Sequence, residues 1–187
     1  MIKRSIDISL ALIATVVFFI PLVFVALLVR ITSKGPIIFW SERVGHSNQI
    51  FKMPKFRTMQ VNTPNVATHL LSSAEQYLTP VGRFLRKTSL DELPQLWSVF
   101  SGDMSFVGPR PALYNQFDLI EIRTRNGIDT LLPGITGWAQ VNGRDELTIN
   151  EKVDFDREYL EKQSFLFDVH ILFLTILKVF KREGISH

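Results

Sequence analysis

Hydrophobic and polar positions along the chain separate two apolar ends from a mixed middle. Residues 8–29 carry no charged side chain, and at about 1.5 Å per helical residue such a stretch covers roughly the 30 Å hydrocarbon core of a bilayer. Pro21 lacks the amide that would bond the carbonyl of Val17, which predicts a kink or break at this depth. Basic residues flank the stretch on both sides, so charge does not orient a spanning helix. A kinked transmembrane helix and a helix–break–helix that enters and leaves by one face both fit this pattern.

A second apolar run occupies residues 165–180 near the other end of the chain. At 100° per residue, Asp168, Thr175, Lys178 and Arg182 fall on one side of a helix, and most of the phenylalanines fall elsewhere. This pattern predicts a helix that lies in the membrane interface with its basic side chains reaching to water. A terminal helix packed into a protein core fits the same periodicity.

The middle of the chain has short alternating and helical patterns separated by glycine and proline. They predict strands over 37–40 and 50–59 broken by Gly45 and Pro54, loops over 62–73, 102–111 and 133–143, an interrupted helical region over 75–100, and a charged helix over 150–162. The expected fold class is therefore mixed α/β and mainly helical, built as one small domain with membrane-seeking ends.

Composition narrows the classes of function. The 187 residues include 46% hydrophobic residues, a net charge of +3 and no cysteine, which excludes disulfide scaffolds, Cys–zinc sites, iron–sulfur clusters and a thiolate nucleophile. A mean hydropathy of +0.15 combined with basicity points to a membrane surface before nucleic acid. The histidines lack the spacing of a zinc site, so a bound metal would have carboxylate and phosphate ligands, which favours Mg²⁺ or Mn²⁺.

Candidate chemistry is concentrated around two adjacent carboxylates. Asp91 and Glu92 follow a cation-rich segment that contains Arg86. The bland alternative is a capping box in which Ser89 caps a helix and Glu92 is its third residue. Arg110 stands between Pro109 and Pro111, whose rings restrict the backbone on both sides and aim a guanidinium that suits phosphate oxygens.

Two further segments fit a phosphate-binding surface. Lys55 and Arg57 lie on the second strand-like run, although a basic strand edge that deters aggregation explains them equally well. The glycine-rich segment 133–144 adds Gln140, Asn142 and Arg144, a composition suited to a loop that approaches a ligand closely.

Five motifs together resemble the bacterial sugar transferase family of monotopic phosphoglycosyl transferases. They are residues 43–45 (RVG), 55–59 (KFRTM), 89–95 (SLDELPQ), 102–111 (GDMSFVGPRP) and 133–144 (PGITGWAQVNGR). The resemblance covers nearly the whole chain. At this length the chain resembles the family's minimal catalytic form, such as the initiating enzyme of bacterial protein glycosylation.

The resemblance implies transfer of a sugar 1-phosphate from a UDP-sugar to undecaprenyl phosphate, with release of UMP. It also implies a re-entrant membrane helix over residues 1–35 and a catalytic domain over 36–187, at the cytoplasmic face of the bacterial inner membrane. Ile20 stands before Pro21 where the family often has serine, so a hydroxyl that could satisfy the exposed carbonyl is missing. Ser41 stands where glutamine is common.

Site roles follow from the same resemblance. It implies that Asp91 is the nucleophile, that Glu92 is its partner, and that both hold Mg²⁺. The remaining site residues are the phosphate-binding Lys55, Arg57, Arg86 and Arg110, and the nucleotide and sugar loop residues Pro109, Pro111, Gln140, Asn142 and Arg144. Downstream glycosyltransferases would be partners, and nucleic acid would not. A lipid-diphosphate hydrolase and a non-enzymatic membrane adaptor are the alternatives.

Overall fold

A computed structural model describes residues 2–64, 74–143 and 146–181. Its helices are α1 (Ile2–Val17), α2 (Phe19–Thr32), α3 (Gly82–Lys87), α4 (Leu96–Ser101), α5 (Phe117–Arg125), α6 (Trp138–Val141), α7 (Ile149–Lys162) and α8 (Phe165–Lys181), its strands are β1 (Ile38–Val44), β2 (Ile50–Phe56), β3 (Ser105–Val107) and β4 (Gly134–Thr136), and short 3₁₀ helices cover His46–Asn48, Ala74–Tyr77, Leu90–Gln95 and Ile128–Thr130. The expected fold class, mixed α/β and mainly helical, is confirmed.

The first two helices form a bent apolar pair. The helix axis bends by 64° between α1 and α2, and Phe18 lies between the two helices. Pro21 lies in the first turn of α2, three residues after the break. The helix breaks before Pro21 because the proline ring clashes with the carbonyl of Val17 and offers no amide to that carbonyl. In the described part of the chain no single helix is long and apolar enough to cross a membrane, whereas this pair meets the length and composition requirement together. The break predicted from Pro21 is thus present.

The first half of α1 also packs against the rest of the protein. Arg4 donates to the carbonyl of Phe100 at 2.9 Å, and the buried Asp7 accepts from the backbone amide of Phe106 at 3.1 Å. Ala11 is fully buried in a cluster with Met53, Val99 and Met104. The division of the chain at residue 35 stays a prediction, and the contacts of α1 cross it.

Strands β1 and β2 pair as an antiparallel hairpin that supports the candidate site. One face carries Ser41 and Arg43 from β1 with Met53 and Lys55 from β2, because side chains alternate between the faces of a strand. Pro54 does not end β2 as expected but lies within it. A two-stranded sheet has only edge strands, where the missing proline amide is tolerated.

Two segments expected to be loops instead pair with each other. β3 and β4 run parallel, with Ser105 beside Gly134 and Val107 beside Thr136, and α6 follows. A Cβ on Gly134 would lie 2.2 Å from the amide nitrogen of Gly108, so glycine permits the close approach. Three-residue strands are too short to show a period of two, and the sequence pattern therefore did not reveal them.

The last two helices close the structure. α7 matches the expected charged helix and begins with a capping box between Thr148 and Glu151. On α8, Asp168 accepts a hydrogen bond from Tyr159 at 2.6 Å, and Thr175 is hydrogen-bonded to Thr136 at 2.7 Å. The polar side of α8 therefore faces the protein.

The expectation that the basic side chains of α8 reach to water stays a prediction, and Asp168 and Thr175 on the same side of the helix face the protein. The outward side of the helix is apolar and exposed, with Phe165, Leu166, Val169, Phe173, Ile176 and Val179. Ile171 on the inner side is fully buried in the main hydrophobic cluster. Arg182, expected on the polar side, lies outside the described residues.

Candidate active site

Asp91 and Glu92 lie in the first turn of the 3₁₀ helix Leu90–Gln95. Ser89 precedes them with a φ of 54°, and this left-handed residue turns the chain after α3. The Ser89 side chain caps nothing, and the Glu92 side chain points to cations of other elements. The capping box considered for these residues is therefore wrong, and the carboxylates are available for other contacts.

Glu92 is held by two cations from different parts of the chain. The Lys55 Nζ lies 2.7 Å and the Arg110 Nη2 lies 3.1 Å from the same oxygen, Oε1. The side chains of Lys55 and Glu92 are only 15% and 14% exposed. Charge-assisted bonds of this length in a poorly solvated site fix the orientation of the Glu92 carboxylate.

Asp91 is the more deeply buried carboxylate, with 7% of its surface exposed. Burial raises its pKa to about 6, and the charge of Glu92 acts in the same direction, while the charges of Lys55, Arg86 and Arg110 pull the pKa down. A group with a pKa of about 6 is about nine-tenths ionised at pH 7. Asp91 is therefore a carboxylate with little solvation around it, as a candidate nucleophile requires.

The cations around Asp91 are themselves desolvated. Burial lowers the pKa of Lys55 and of Arg86, and the two carboxylates act against that shift. The Arg86 Nε donates to the Thr58 hydroxyl at 3.0 Å, which anchors α3 against the end of the hairpin. Lys55, Arg86 and Arg110 thus converge on the carboxylates from β2, α3 and the segment after β3.

Arg57 does not join this group. Its Nε donates to the carbonyl of Pro36 at 2.8 Å, at the turn that follows α2. Among the residues that the structure describes, it makes no ion pair with Asp91 or Glu92. Its expected part in phosphate binding stays a prediction.

The segment of Pro109, Arg110 and Pro111 has a buried support that sequence reasoning missed. Arg123 donates to the carbonyl of Arg110 at 2.8 Å, and Arg43 donates to the carbonyl of Pro111 at 3.1 Å. Neither supporting arginine was expected at the site, although Arg43 belongs to one of the quoted motifs.

A signal for part of this support is present in α7. Asp156, which pairs with Arg123, lies on the buried side of that helix together with Val153 and Tyr159. A charged residue on an apolar helix stripe requires a buried partner. That partner could not be named from the sequence.

The glycine-rich segment has a mixed outcome. Both amide atoms of Gln140 are buried without a hydrogen-bond partner in the described structure, so this side chain has capacity for a water or a ligand. Asn142 instead donates to the carbonyl of Trp138 at 2.8 Å and closes α6. Arg144 lies outside the described residues. The roles expected for these three residues stay predictions.

The donor set limits how a metal ion would bind. Within residues 2–64, 74–143 and 146–181 no cluster of three or more histidine or carboxylate side chains is placed to hold one. Mg²⁺ is commonly held by one or two carboxylates, substrate phosphates and water. Asp91 and Glu92 therefore fit a Mg²⁺ whose coordination is completed by substrate, and they do not form a ready-made metal cage.

Comparisons with known proteins show which family and relatives the sequence resembles. A family model described as bacterial sugar transferase matches residues 1–182. The UDP-glucose:undecaprenyl-phosphate glucose-1-phosphate transferase of Escherichia coli (strain K12) is 42% identical over 194 residues, covering 98% of this chain and 41% of the relative. An uncharacterized sugar transferase, EpsL, of Bacillus subtilis (strain 168) is 37% identical over 185 residues, covering 99% of this chain and 90% of the relative.

A third relative acts on a different sugar. The UDP-N-acetylgalactosamine-undecaprenyl-phosphate N-acetylgalactosaminephosphotransferase of Aeromonas hydrophila is 38% identical over 189 residues, covering 98% of this chain and 44% of the relative. The chain thus spans less than half the length of two of these three relatives. The names of the Escherichia coli and Aeromonas hydrophila relatives differ in the sugar and agree on the lipid carrier, undecaprenyl phosphate.

Proposed function

This chain belongs to the bacterial sugar transferase family, and we propose that it transfers a sugar 1-phosphate from a UDP-sugar to undecaprenyl phosphate and releases UMP. The observation that carries this proposal is the buried Asp91 carboxylate, surrounded by Lys55, Arg86 and Arg110 beside Glu92. Relatives named for sugar-phosphate transfer to undecaprenyl phosphate support the substrate classes. Which sugar is used does not follow from these residues.

The reaction proceeds in two displacements at one phosphorus atom. An oxygen of the Asp91 carboxylate attacks the sugar-bearing phosphorus of the UDP-sugar, and the phosphoanhydride bond breaks as UMP leaves with its electron pair. A phosphate oxygen of undecaprenyl phosphate then attacks the aspartyl-phosphosugar. The bond to Asp91 breaks, undecaprenyl-diphospho-sugar leaves, and the carboxylate is restored. This covalent route divides one difficult transfer into two easier steps.

The cations around Asp91 make the approach of two anionic substrates feasible. Lys55, Arg86 and Arg110 offset the charge of the phosphates, and Arg110 is held on Glu92 where planar donors suit phosphate oxygens. Asp91 and Glu92 would hold a Mg²⁺ ion, which supplies charge neutralisation for the phosphates. A partly desolvated site strengthens each of these interactions.

The apolar surfaces support a position at the membrane. The bent pair of α1 and α2 would enter one leaflet and return, with both ends on the cytoplasmic face, and the outward apolar side of α8 would lie in the interface. Undecaprenyl phosphate stays in the bilayer and the UDP-sugar stays in water, so the reacting groups meet at the level of the lipid headgroups. The expected location is the cytoplasmic face of the bacterial inner membrane.

The test is UMP release by the detergent-solubilised protein with a panel of UDP-sugars. The expected result is repeated turnover, with many UMP released per protein molecule, that needs both undecaprenyl phosphate and Mg²⁺ and that Asp91→Asn abolishes. The exposed carboxylate of Asp154 provides the matched control, because Asp154→Asn makes the same chemical change on the surface of α7. UMP release that continues beyond one UMP per protein molecule without the lipid would indicate a hydrolase, and no release with any donor would favour a membrane adaptor.

The covalent step has its own test. Incubation with a UDP-sugar in the absence of lipid should add the mass of one sugar phosphate to the peptide that contains Asp91. Initial rates should follow ping-pong kinetics. A sequential rate law without any labelled peptide would exclude the covalent route and leave direct transfer.

A further inference from the structure

The backbone around Arg110 is held at three successive carbonyl groups. The carbonyl of Pro109 accepts from the amide of Gly134 at 2.9 Å. The carbonyl of Arg110 accepts from Arg123 Nη1 at 2.8 Å, and that of Pro111 accepts from Arg43 Nη1 at 3.1 Å. Two of these donors are arginine side chains. Fixing such long side chains costs conformational entropy, because they lose rotamer freedom.

Arg123 is itself fixed by a buried ion pair. Its Nε and Nη2 lie 3.0 and 2.6 Å from the Oδ2 of Asp156, and Asp156 is only 1% exposed. The rigid guanidinium therefore uses one edge on the carboxylate and directs its remaining nitrogen, Nη1, to the carbonyl of Arg110. α5 and α7 are linked in this way to the backbone of the candidate site.

The side chain of Arg110 depends on this backbone support. It is 32% exposed, so packing does not fix it as burial fixes Lys55. A cavity of about 30 Å³ lies against the same segment, lined by Arg123, Asp129 and Pro133 among others, so the segment has room to move when its support is removed. A displacement of about 1 Å at a catalytic group is enough to cost about 100-fold in rate.

We propose that the Arg123–Asp156 ion pair is a positioning device that fixes the Arg110 backbone, so that the Arg110 guanidinium stays on Glu92 and on the phosphate of the substrate. This inference rests on the proposed transferase function. The pair acts through position and not through charge. Asp156 balances the charge of Arg123, and Arg123 is not among the groups whose charges shift the pKa of Asp91.

The first comparison replaces the pair as a unit. Changing Arg123 alone would leave the Asp156 carboxylate buried without its partner and put folding at risk, so we use Arg123→Met together with Asp156→Leu. Arg123→Lys serves as the conservative variant, since lysine keeps the charge but lacks the planar fork. The control is Arg125→Met with Glu121→Leu, which removes an exposed ion pair from the same helix α5.

The expected loss of kcat/KM in the paired variant is roughly 10- to 100-fold, with an intermediate loss for Arg123→Lys and none for the control. The loss should disappear when Arg110 is already truncated. In the background of Arg110→Ala, or of Arg110→Lys if alanine leaves no measurable rate, the paired change should cost less than about threefold, because both act on one group. An equal fold-loss in both backgrounds would show that the pair is merely structural and would overturn the proposal.

Hydrogen exchange tests the positioning without relying on turnover. The peptide spanning residues 105–116 should exchange on the order of 10-fold faster in the paired variant than in wild type or the control. Unchanged exchange there would refute the positioning role even in an active enzyme. If wild type releases no UMP with any donor, the proposed function fails on that result, while the exchange measurement still decides whether the pair holds this segment.

Discussion

Asp91→Asn should remove activity and at the same time make the folded protein more stable at neutral pH. The substitution exchanges a buried carboxylate for a neutral amide of nearly the same shape. Lys55 also contacts Glu92 at 2.7 Å, so the change would not leave that cation without a partner. The ionisation of Asp91 is the main property that differs.

The magnitude follows from the pKa of Asp91. Burial raises this pKa from its ordinary value of 3.8 to about 6 in the folded state. At about 1.4 kcal/mol per pKa unit, ionised Asp91 costs roughly 3 kcal/mol of folding free energy. Relaxation of the site around the amide reduces the expected gain to about 2–3 kcal/mol, or roughly 4–12 °C in Tm for a chain of this length.

The sign of the pH dependence is opposite to that of a salt-bridged surface carboxylate. Between about pH 4 and pH 6 the folded state keeps a proton that the unfolded state has already released, so the contribution of Asp91 to stability falls as pH rises. The asparagine variant has no such proton. Its advantage over wild type should therefore be largest above about pH 6 and should vanish near pH 4.

Thermal unfolding in one detergent between pH 4.5 and 8 measures this difference directly. Asp154→Asn on the surface of α7 controls for the general effect of removing a negative charge, and its Tm should change little. A variant at position 91 that is no more stable than wild type at pH 7.5 would refute the reasoning. So would an advantage that does not shrink between pH 7 and pH 5.

Three further predictions address other parts of the molecule. Lys55→Met should raise the pKa of Asp91 further and move the acidic limb of the pH–rate profile to higher pH. Lys52→Met, on the opposite face of β2, should leave that limb in place. An unshifted limb in Lys55→Met would show that the Lys55 charge does not act on Asp91. Gly134→Ala should lower the free energy of unfolding by about 1–3 kcal/mol, because its Cβ would lie 2.2 Å from the amide nitrogen of Gly108, just after β3. Chemical denaturation that shows no loss would contradict that close approach. Pro21→Ala should straighten the 64° bend and move the two ends of the helix pair to opposite faces of the membrane, which labels at each end would report; unchanged sidedness would mean that other contacts hold the bend.

The elements that sequence reasoning located correctly carry strong local signals. Pro21 predicts the break between α1 and α2 because the loss of one amide and the ring clash act within four residues. α7 and α8 show helical periodicity over 14 and 17 residues, long enough for the pattern to be unambiguous. The adjacent carboxylates Asp91 and Glu92, and the basic residues near them in the sequence, were identified as candidate site residues from motifs along the chain.

Tertiary structure alone decided how these elements face one another. Asp168 and Thr175 form one side of α8 in the sequence, but only packing against Tyr159 and Thr136 shows that this side is the inner one. The supporting bond from Arg123 to the carbonyl of Arg110 likewise joins elements whose relative placement no local pattern contains.

By itself, the sequence determined the apolar ends, the break at Pro21, the longer helices and the motifs that mark the family. The tertiary structure decided the parallel pairing of β3 with β4, the burial that raises the pKa of Asp91, and the convergence of Lys55 and Arg110 on Glu92. The physical reason is the distance along the chain over which each effect acts. Periodicity, proline and capping act over a few residues, whereas burial and ion pairing depend on which distant segments exclude water together.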